Sequence, residues 1–406
     1  MKTSHRLFMF ALLFMALQTV AQEPDFHENG EGIAYFQISG DLCRTVLENN
    51  KALLAAKEQY RVVSLEASTG ITPPDPQVEL GYLFGKPVEM GNRIDLSVTQ
   101  EIDFPTTYIH RTRARDLEIA QAKLTMELVR QKVLLQAIKL WVERVYLNQL
   151  ELVLGRRVEQ TDQLVSHYRQ KLSVGEVGQL AYSQSNLQST ALKGELEKVR
   201  ADIRANQAAL EEVTGGTPVE IRDTILPASG PIERDSIINA YGNGPLMQYF
   251  RQDVELKEQR KNLAASLSLP KIKAGYYSES VITEQFRGFQ VGISLPLWEH
   301  SNRVKLARSE VLFAEAEADH AAAIQRKELI QKIERWESLG HLIQDMEDAL
   351  SMVNDIELLH IAWKGGEISL AEYMVGSDLY FRNLQSLLTY KRDQLIVEAE
   401  LRSINF

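Results

Sequence analysis

The feature that most constrains this chain is its long runs without a helix breaker. Thr106–Leu172 contains no proline and a single glycine, Gly155. At ~1.5 Å per residue, a helix of that length is a rod near 100 Å. A compact enzyme domain is only some ~40 Å across, so such a rod needs other helices beside it along its length. The stretch Ser301–Trp363 reads the same way. There Leu329, Ile333, Trp336, Leu339, Ile343, Met346, Leu350 and Val353 recur at steps of three and four, as in a coiled-coil seam. Trp141, Tyr146 and Trp336 are read as packing residues of these rods. Gly215-Gly216, ahead of Thr217-Pro218, reads as a helix stop with a left-handed cap.

The chain also resembles itself at a fixed offset. Asp41 opens a helix that runs into Asn49-Asn50-Lys51, and Asp235 opens one that runs into Asn243-Gly244-Pro245, an offset of 194. Val78-Glu79-Leu80-Gly81-Tyr82 matches Ile272-Lys273-Ala274-Gly275-Tyr276 at the same offset. Gly175-Glu176-Val177-Gly178 with Tyr182 matches Gly366-Glu367-Ile368-Ser369 with Tyr373 at an offset of 191. Each half then reads in one order: a shorter helix (Asp41–Thr69, Asp235–Leu267), a pair of strands, a very long helix, a Gly-containing turn, and a second long helix (Gln179–Val213, Ser369–Ser403). The organisation expected is therefore a leader over 1–21, an N-terminal extension over 22–40, and repeat 1 over 41–216. A linker over 217–234 leads to repeat 2 over 235–406. The β-hairpins fall at 77–104 and 271–297 and the helical hairpins at 106–213 and 301–403.

The strands are amphipathic. Ile94, Leu96, Val98, Ile102 and Phe104 alternate with Asp95, Ser97, Thr99, Glu101 and Asp103. Val78, Leu80, Tyr82 and Phe84 form the partner's apolar side, across a turn through Gly85-Lys86-Pro87 and Gly91-Asn92. In the second half Phe289, Val291, Ile293, Leu295 and Leu297 alternate with Gln290, Gly292 and Ser294. Side chains alternate across a strand, so each hairpin has one apolar and one polar face. Strands of about 9–11 residues patterned this way are what a membrane β-barrel requires. Four strands cannot close alone, because a small barrel needs about eight and an open edge is not viable in lipid. Three chains would supply twelve. The lipid-facing residues expected are Ile94, Leu96, Val98, Val291, Ile293 and Leu295.

The ends and the charge narrow the compartment and exclude other classes. Lys2 and Arg6 precede an apolar run, Leu7 to Val20, with Thr19 and Ala21 at −3 and −1 of a cut before Gln22. That is the form of a secretory signal peptide, and the run is shorter than the ~20 residues that span a bilayer. Cys43 is the only cysteine, so no internal disulfide forms and Cys43 reads as a small buried hydrophobe. The formal charge of −10 becomes −12 once the leader's two cations are removed. An acidic chain is a poor nucleic-acid binder, and its charge favours cationic cargo. No zinc-type H-E-x-x-H, nucleophile elbow or phosphate loop occurs. No catalytic residue, metal ligand or cofactor is expected.

This order of signal peptide, repeat, β-hairpin and long helical hairpin resembles the outer membrane efflux (TolC) family over essentially the whole mature chain. Val98–Tyr108 and Val291–Trp298 look like that family's strand-to-helix junctions, and Phe104-Pro105-Thr106 is similar to its heavy-metal branch. The resemblance implies a mainly α fold with a small β part. Long antiparallel helical hairpins form an α-barrel, and each chain gives four strands to a trimeric transmembrane β-barrel. It implies an outer-membrane homotrimer with a long periplasmic extension. Its partners would be outer-membrane lipid, a periplasmic adaptor and an inner-membrane pump, and its role would be passive conduction without enzymatic chemistry. It also places adaptor-docking tips at Val174, Gly175 and Val177, and at Gly365, Gly366 and Ile368. An acidic pore gate would fall at Glu372 and Asp378, although Val375 departs from the family pattern between them. A ring of such carboxylates attracts cations and raises its own pKa. The alternative is a periplasmic adaptor or a helical scaffold without a membrane barrel.

Overall fold

The computed structural model describes residues 40–87, 91–281, 284–294, 302–352 and 356–406. The expected signal peptide, Leu295, Leu297, Trp298 and Val353 lie outside the described residues.

Helix α1 spans Gly40–Asn49 and α2 spans Lys51–Ala67. Strands β1 (Gln77–Leu83) and β2 (Arg93–Ile102) follow. The long hairpin is α3 (Pro105–Ser173) and α4 (Gln179–Val213). The second half repeats the order: α5 (Arg234–Gly242), α6 (Pro245–Ser266), β3 (Lys271–Val281), β4 (Glu284–Ser294), α7 (Arg303–Met352), α8 (Ile356–Lys364) and α9 (Leu370–Arg402). A single 3-10 turn, Ser403–Asn405, ends the chain. The fold is mainly helical with one small sheet and two copies of one unit. At 69 residues, α3 is a rod of about 100 Å.

The shorter helix expected at the start of each half is two helices. Asn50 breaks the first: its backbone is extended, and its Oδ1 accepts hydrogen bonds from the amides of Ala52 and Leu53 at 2.9 and 3.1 Å. Its Nδ2 donates to the Val213 carbonyl at 2.8 Å, tying this break to the end of α4. In the second half Gly244 is extended and Pro245 starts α6 at its first turn, where a missing N–H costs nothing. Gly215, beside the Asn49-Asn50 junction of the first half, has φ +70°, and a Cβ there would sit 2.1 Å from the Asn49 carbonyl oxygen. Glycine is required both by conformation and by space.

The main core lies at the middle of α3. Leu134, Ala137, Ile138, Val142 and Val145 pack there with Leu42 and Val46 of α1, Leu210 of α4, and Leu395 and Ala399 of α9. Trp141 and Tyr146 are buried in it, and Trp336 packs against a second cluster formed by Leu329, Ile333, Leu339, Val397 and Leu401. Cys43 is buried in the main core, and burial pushes its thiol up to about 11. Phe406 is buried there too.

The helices form a curtain. Along it, α4 lies against α3, α3 against α9 and α9 against α7, while α6 backs both α3 and α7. The curtain therefore ends at α4 on one side and α7 on the other. Ion pairs stitch it inside: Glu400 of α9 accepts from Lys139 of α3 at 2.5 Å and from Lys332 of α7 at 3.2 Å.

Candidate functional site

Three features bear on function: the sheet, the free edges of the curtain, and the paired turns at its far end.

The sheet runs in the order β1-β2-β3-β4, antiparallel throughout. Its register puts Val78 opposite Val98, Leu80 opposite Leu96 and Tyr82 opposite Ile94. Across β2 and β3, Val98 faces Tyr276 and Ile102 faces Ile272. Across β3 and β4, Ile272 faces Ile293, Ala274 faces Val291, and Tyr276 faces Phe289. Directly paired residues share a face, so the apolar residues of all four strands form one continuous surface. That surface is uncovered: Leu80 is 73% exposed, Val291 75% and Phe289 91%. The expected lipid-facing residues Ile94, Leu96, Val98, Val291 and Ile293 all belong to it.

The opposite face carries Glu79, Arg93, Asp95, Glu101, Lys273 and Glu279 by the same alternation. Ion pairs form on this face. Arg93 Nε lies 2.8 Å from Asp95 and 3.1 Å from Glu279, and Lys271 Nζ lies 3.0 Å from Glu101. An uncovered apolar face and an ion-paired opposite face are the reverse of what a soluble sheet over a core presents. Strands β1 and β4 are both open edges. The passage from sheet to rod is fixed at Asp103: its amide donates to the Tyr108 hydroxyl at 3.0 Å, and Arg111 bonds its carboxylate at 2.7 Å.

The two free edges of the curtain differ in side-chain size. The free face of α4 exposes Leu187, Ala191, Gly194, Ala201, Ala205 and Ala208 at helical spacing. The free face of α7 exposes Leu306, Phe313, Ile324 and Leu342, 61, 63, 43 and 44% accessible. At 100° per residue these four lie in one line along the rod. Large apolar knobs on one edge and, past Leu187, small residues on the other suit close helix packing. Sequence reading missed both stripes, although the seven-residue step from Leu306 to Phe313 and from Leu180 to Leu187 is visible in the chain.

At the far end the two turns are equivalent. Gly175 and Gly366 have φ +78° and +76°. The Glu176 and Glu367 amides donate back to Lys171 and Ala362 at 2.9 Å each, closing each helix with a left-handed cap. Their apolar residues differ. Val174 is 70% exposed and so is Leu180, at 72%, which sequence reading did not single out. Val177 and Ile368 instead pack against the tip's own cluster of Leu164, Tyr168 and Tyr373. Gly365 takes the place of Val174 in the second turn, so the exposed apolar pair exists only in the first.

The two acidic positions are committed. Glu372 caps α9: its carboxylate accepts from the Ser369 amide at 2.7 Å, and its amide donates to Ser369 Oγ at 3.2 Å. These bonds hold its pKa below the usual carboxylate value. Asp378 accepts from the buried Arg157 at 2.8 Å and also pairs with Arg382. Burial raises its pKa, and the two guanidiniums outweigh that and hold it low. Among the described residues no group of three or more His, Cys, Asp and Glu is placed to hold a metal ion, and no helix is long and apolar enough to cross a membrane.

These elements together define the TolC-like fold of outer-membrane channels. No protein-family model matches the chain, and no curated protein matches it by sequence. By structure it is similar to the transmembrane channel CusC, at 13% identity over 90% of this chain and 91% of that one, TM-score 0.74. It is similar to the outer membrane protein VceC from Vibrio cholerae at 14% identity, covering 92% of this chain and 96% of that one, TM-score 0.75. The Campylobacter jejuni CmeC outer membrane channel gives 15% identity over 90% and 85%, TM-score 0.69.

Proposed function

We propose that this chain is a passive exit duct of the bacterial outer membrane, acting as a homotrimer. The observation that carries this reading is the sheet: one uncovered apolar face continuous over four strands, one charged face, and two open edges. In lipid both edges must be paired. Joining β4 of one chain to β1 of the next in a ring of three gives a twelve-stranded barrel, with the charged faces lining its lumen. The same rotation brings the large residues of α7 onto the small residues of the neighbouring α4, closing the helical curtain into a tube. Both edges are thus satisfied by one operation, as closed symmetry requires.

The reading extends to a tube reaching through the periplasm, with the paired turns meeting a periplasmic adaptor bound to an inner-membrane pump. Small molecules or metal ions would pass without chemistry by the duct. The expressed chain tests this directly. Recovery in the outer-membrane fraction as a detergent-stable trimer, with conductance in planar bilayers, supports it. Recovery as a soluble periplasmic monomer defeats it and favours an adaptor or a helical scaffold.

A further inference from the structure

The apolar side of the sheet changes character toward the end away from the rods. On β1 its series Val78, Leu80 and Tyr82 continues to the exposed Phe84, whose ring meets that of Tyr82 at 5.0 Å. On β4 the series Ile293, Val291 and Phe289 stops. The next two residues on that side are Arg287 and Gln285, both exposed, and their direct partners on β3 are Ser278 and Ser280. Four polar side chains thus form a patch on the apolar side. Within it Arg287 Nη2 donates to Gln285 Oε1 at 2.6 Å. One row nearer the rods, the Tyr276 and Phe289 rings meet edge to face at 6.1 Å.

Strand tilt gives this patch a depth. Leu80, Leu96, Ser278 and Arg287 lie in one row across the sheet. With strands ~4.8 Å apart and tilted about 40° in a barrel, such a row changes height by about 9 Å over three spacings. The apolar series runs farther from the rods on β1 than on β4, so the row climbs away from the rods toward β4. With Leu80 near the centre of an apolar band about 25 Å tall, Arg287 lies close to the band's outer edge. Its long stem carries the guanidinium on to the headgroup level. An outward charge is costly at the midplane and nearly free at that boundary, where aromatic rings such as Tyr276 and Phe289 also sit.

The patch is rich in donors. A guanidinium has five N–H groups, of which Gln285 takes one. Gln285 accepts through its oxygen, which leaves its amide N–H groups for another acceptor. Ser278 and Ser280 add two hydroxyls. Glu279 and Glu284 alternate to the other face. Arginine binds phosphate bidentately by charge-assisted hydrogen bonds. We propose that this patch holds the phosphate of an outer-leaflet lipid headgroup. The proposal rests on the duct reading, which puts this face in the membrane.

Native mass spectrometry of the full chain in detergent, titrated with diphosphoryl lipid A and with its dephosphorylated form, tests it. Wild type should bind the phosphorylated lipid about tenfold more tightly. Arg287→Leu, which extends an already apolar face, should abolish that preference with trimer content and bilayer conductance unchanged. Lys273→Gln, which removes one charge from the opposite face, should keep it. Equal affinity of wild type for the two lipids, an undiminished preference in Arg287→Leu, or its loss in Lys273→Gln would overturn the proposal. Displacement of the lipid by equimolar inorganic phosphate would overturn it too, by reassigning the patch to the free ion. The two readings fail differently: a conducting trimer without the preference defeats the patch alone, and a soluble monomer defeats the duct and the patch with it.

Discussion

Arg157 of α3 and Asp378 of α9 form an ion pair at 2.8 Å that joins the two hairpins close to the turns. Arg157 is buried and its guanidinium also lies 4.8 Å from the Phe381 ring centroid. Asp378 is therefore the counter-charge of a buried cation. Asp378→Asn leaves Arg157 short of that charge. With about a third of the carboxylate still reached by solvent, a loss of about 1–2 kcal/mol is expected, below that of a fully buried pair. Urea unfolding at pH 7 reads it. The sign with pH follows from the depressed pKa. Its contribution is present above the ordinary value near 3.8 and is lost as pH falls through the lower folded value. Wild type and Asp378→Asn should differ at pH 6 and converge once pH has fallen below that lowered folded value.

Glu372 gives a local prediction. Ser369→Ala removes one half of the capping box and should weaken the first turn of α9 by about 1 kcal/mol. Hydrogen exchange of the amides of residues 371–373 should speed several-fold, with exchange in the middle of α9 unchanged. If Glu372 acted only as a pore carboxylate, that exchange would not move.

How far the chain announces this structure differs by feature. The repeat is legible because both halves keep the same spacing: Lys51 and Pro245 start equivalent helices, and Gly175 and Gly366 both adopt positive φ. The strand faces are legible because alternation is a local property of Ile94–Ile102. Asn50 as a helix break is not, since its decisive bond reaches Val213, far along the chain. The commitment of Asp378 is hidden for the same reason: its partner Arg157 lies on the other repeat. The tip's own cluster joins Tyr168 to Trp363 across that separation too.

The two faces of the sheet should respond oppositely to one charge. Leu80 sits at the centre of β1 on the apolar face, and Glu79 beside it points to the other. An arginine facing lipid costs about 2–4 kcal/mol near the bilayer midplane. Leu80→Arg should therefore deplete the outer-membrane fraction strongly, whereas Glu79→Arg should insert normally. Equal insertion of both would mean that the apolar face does not meet lipid.

Closure of the curtain can be blocked without touching either rod's own packing. Ala205 is exposed on the free face of α4, pointing away from α3. A tryptophan there adds bulk where the knobs of a neighbouring α7 need to approach. Ala205→Trp should shift detergent-solubilised protein from trimer to monomer in sedimentation, with helix content unchanged. Phe313→Ala, which removes a knob from the facing edge, should weaken the trimer less, because no clash is introduced.

The exposed residues of the first turn can be tested apart from the tip's own packing. Charge substitution at Val177 or Ile368 would disturb the cluster around Tyr168 and Tyr373, so lost efflux there would mix docking with tip collapse. Val174 and Leu180 avoid this, because both are largely exposed and neither packs into that cluster. If an adaptor meets the first turn through this apolar pair, Val174→Asp with Leu180→Asp should weaken adaptor binding by about tenfold or more. Trimer content and bilayer conductance should stay at wild-type levels. The matching positions of the second turn, Gly365 and Ala371, present no comparable apolar surface, so Ala371→Asp should leave adaptor binding nearly unchanged. Pull-down of the cognate adaptor against both sets measures the asymmetry, and equal losses at the two turns would refute a contact centred on the first.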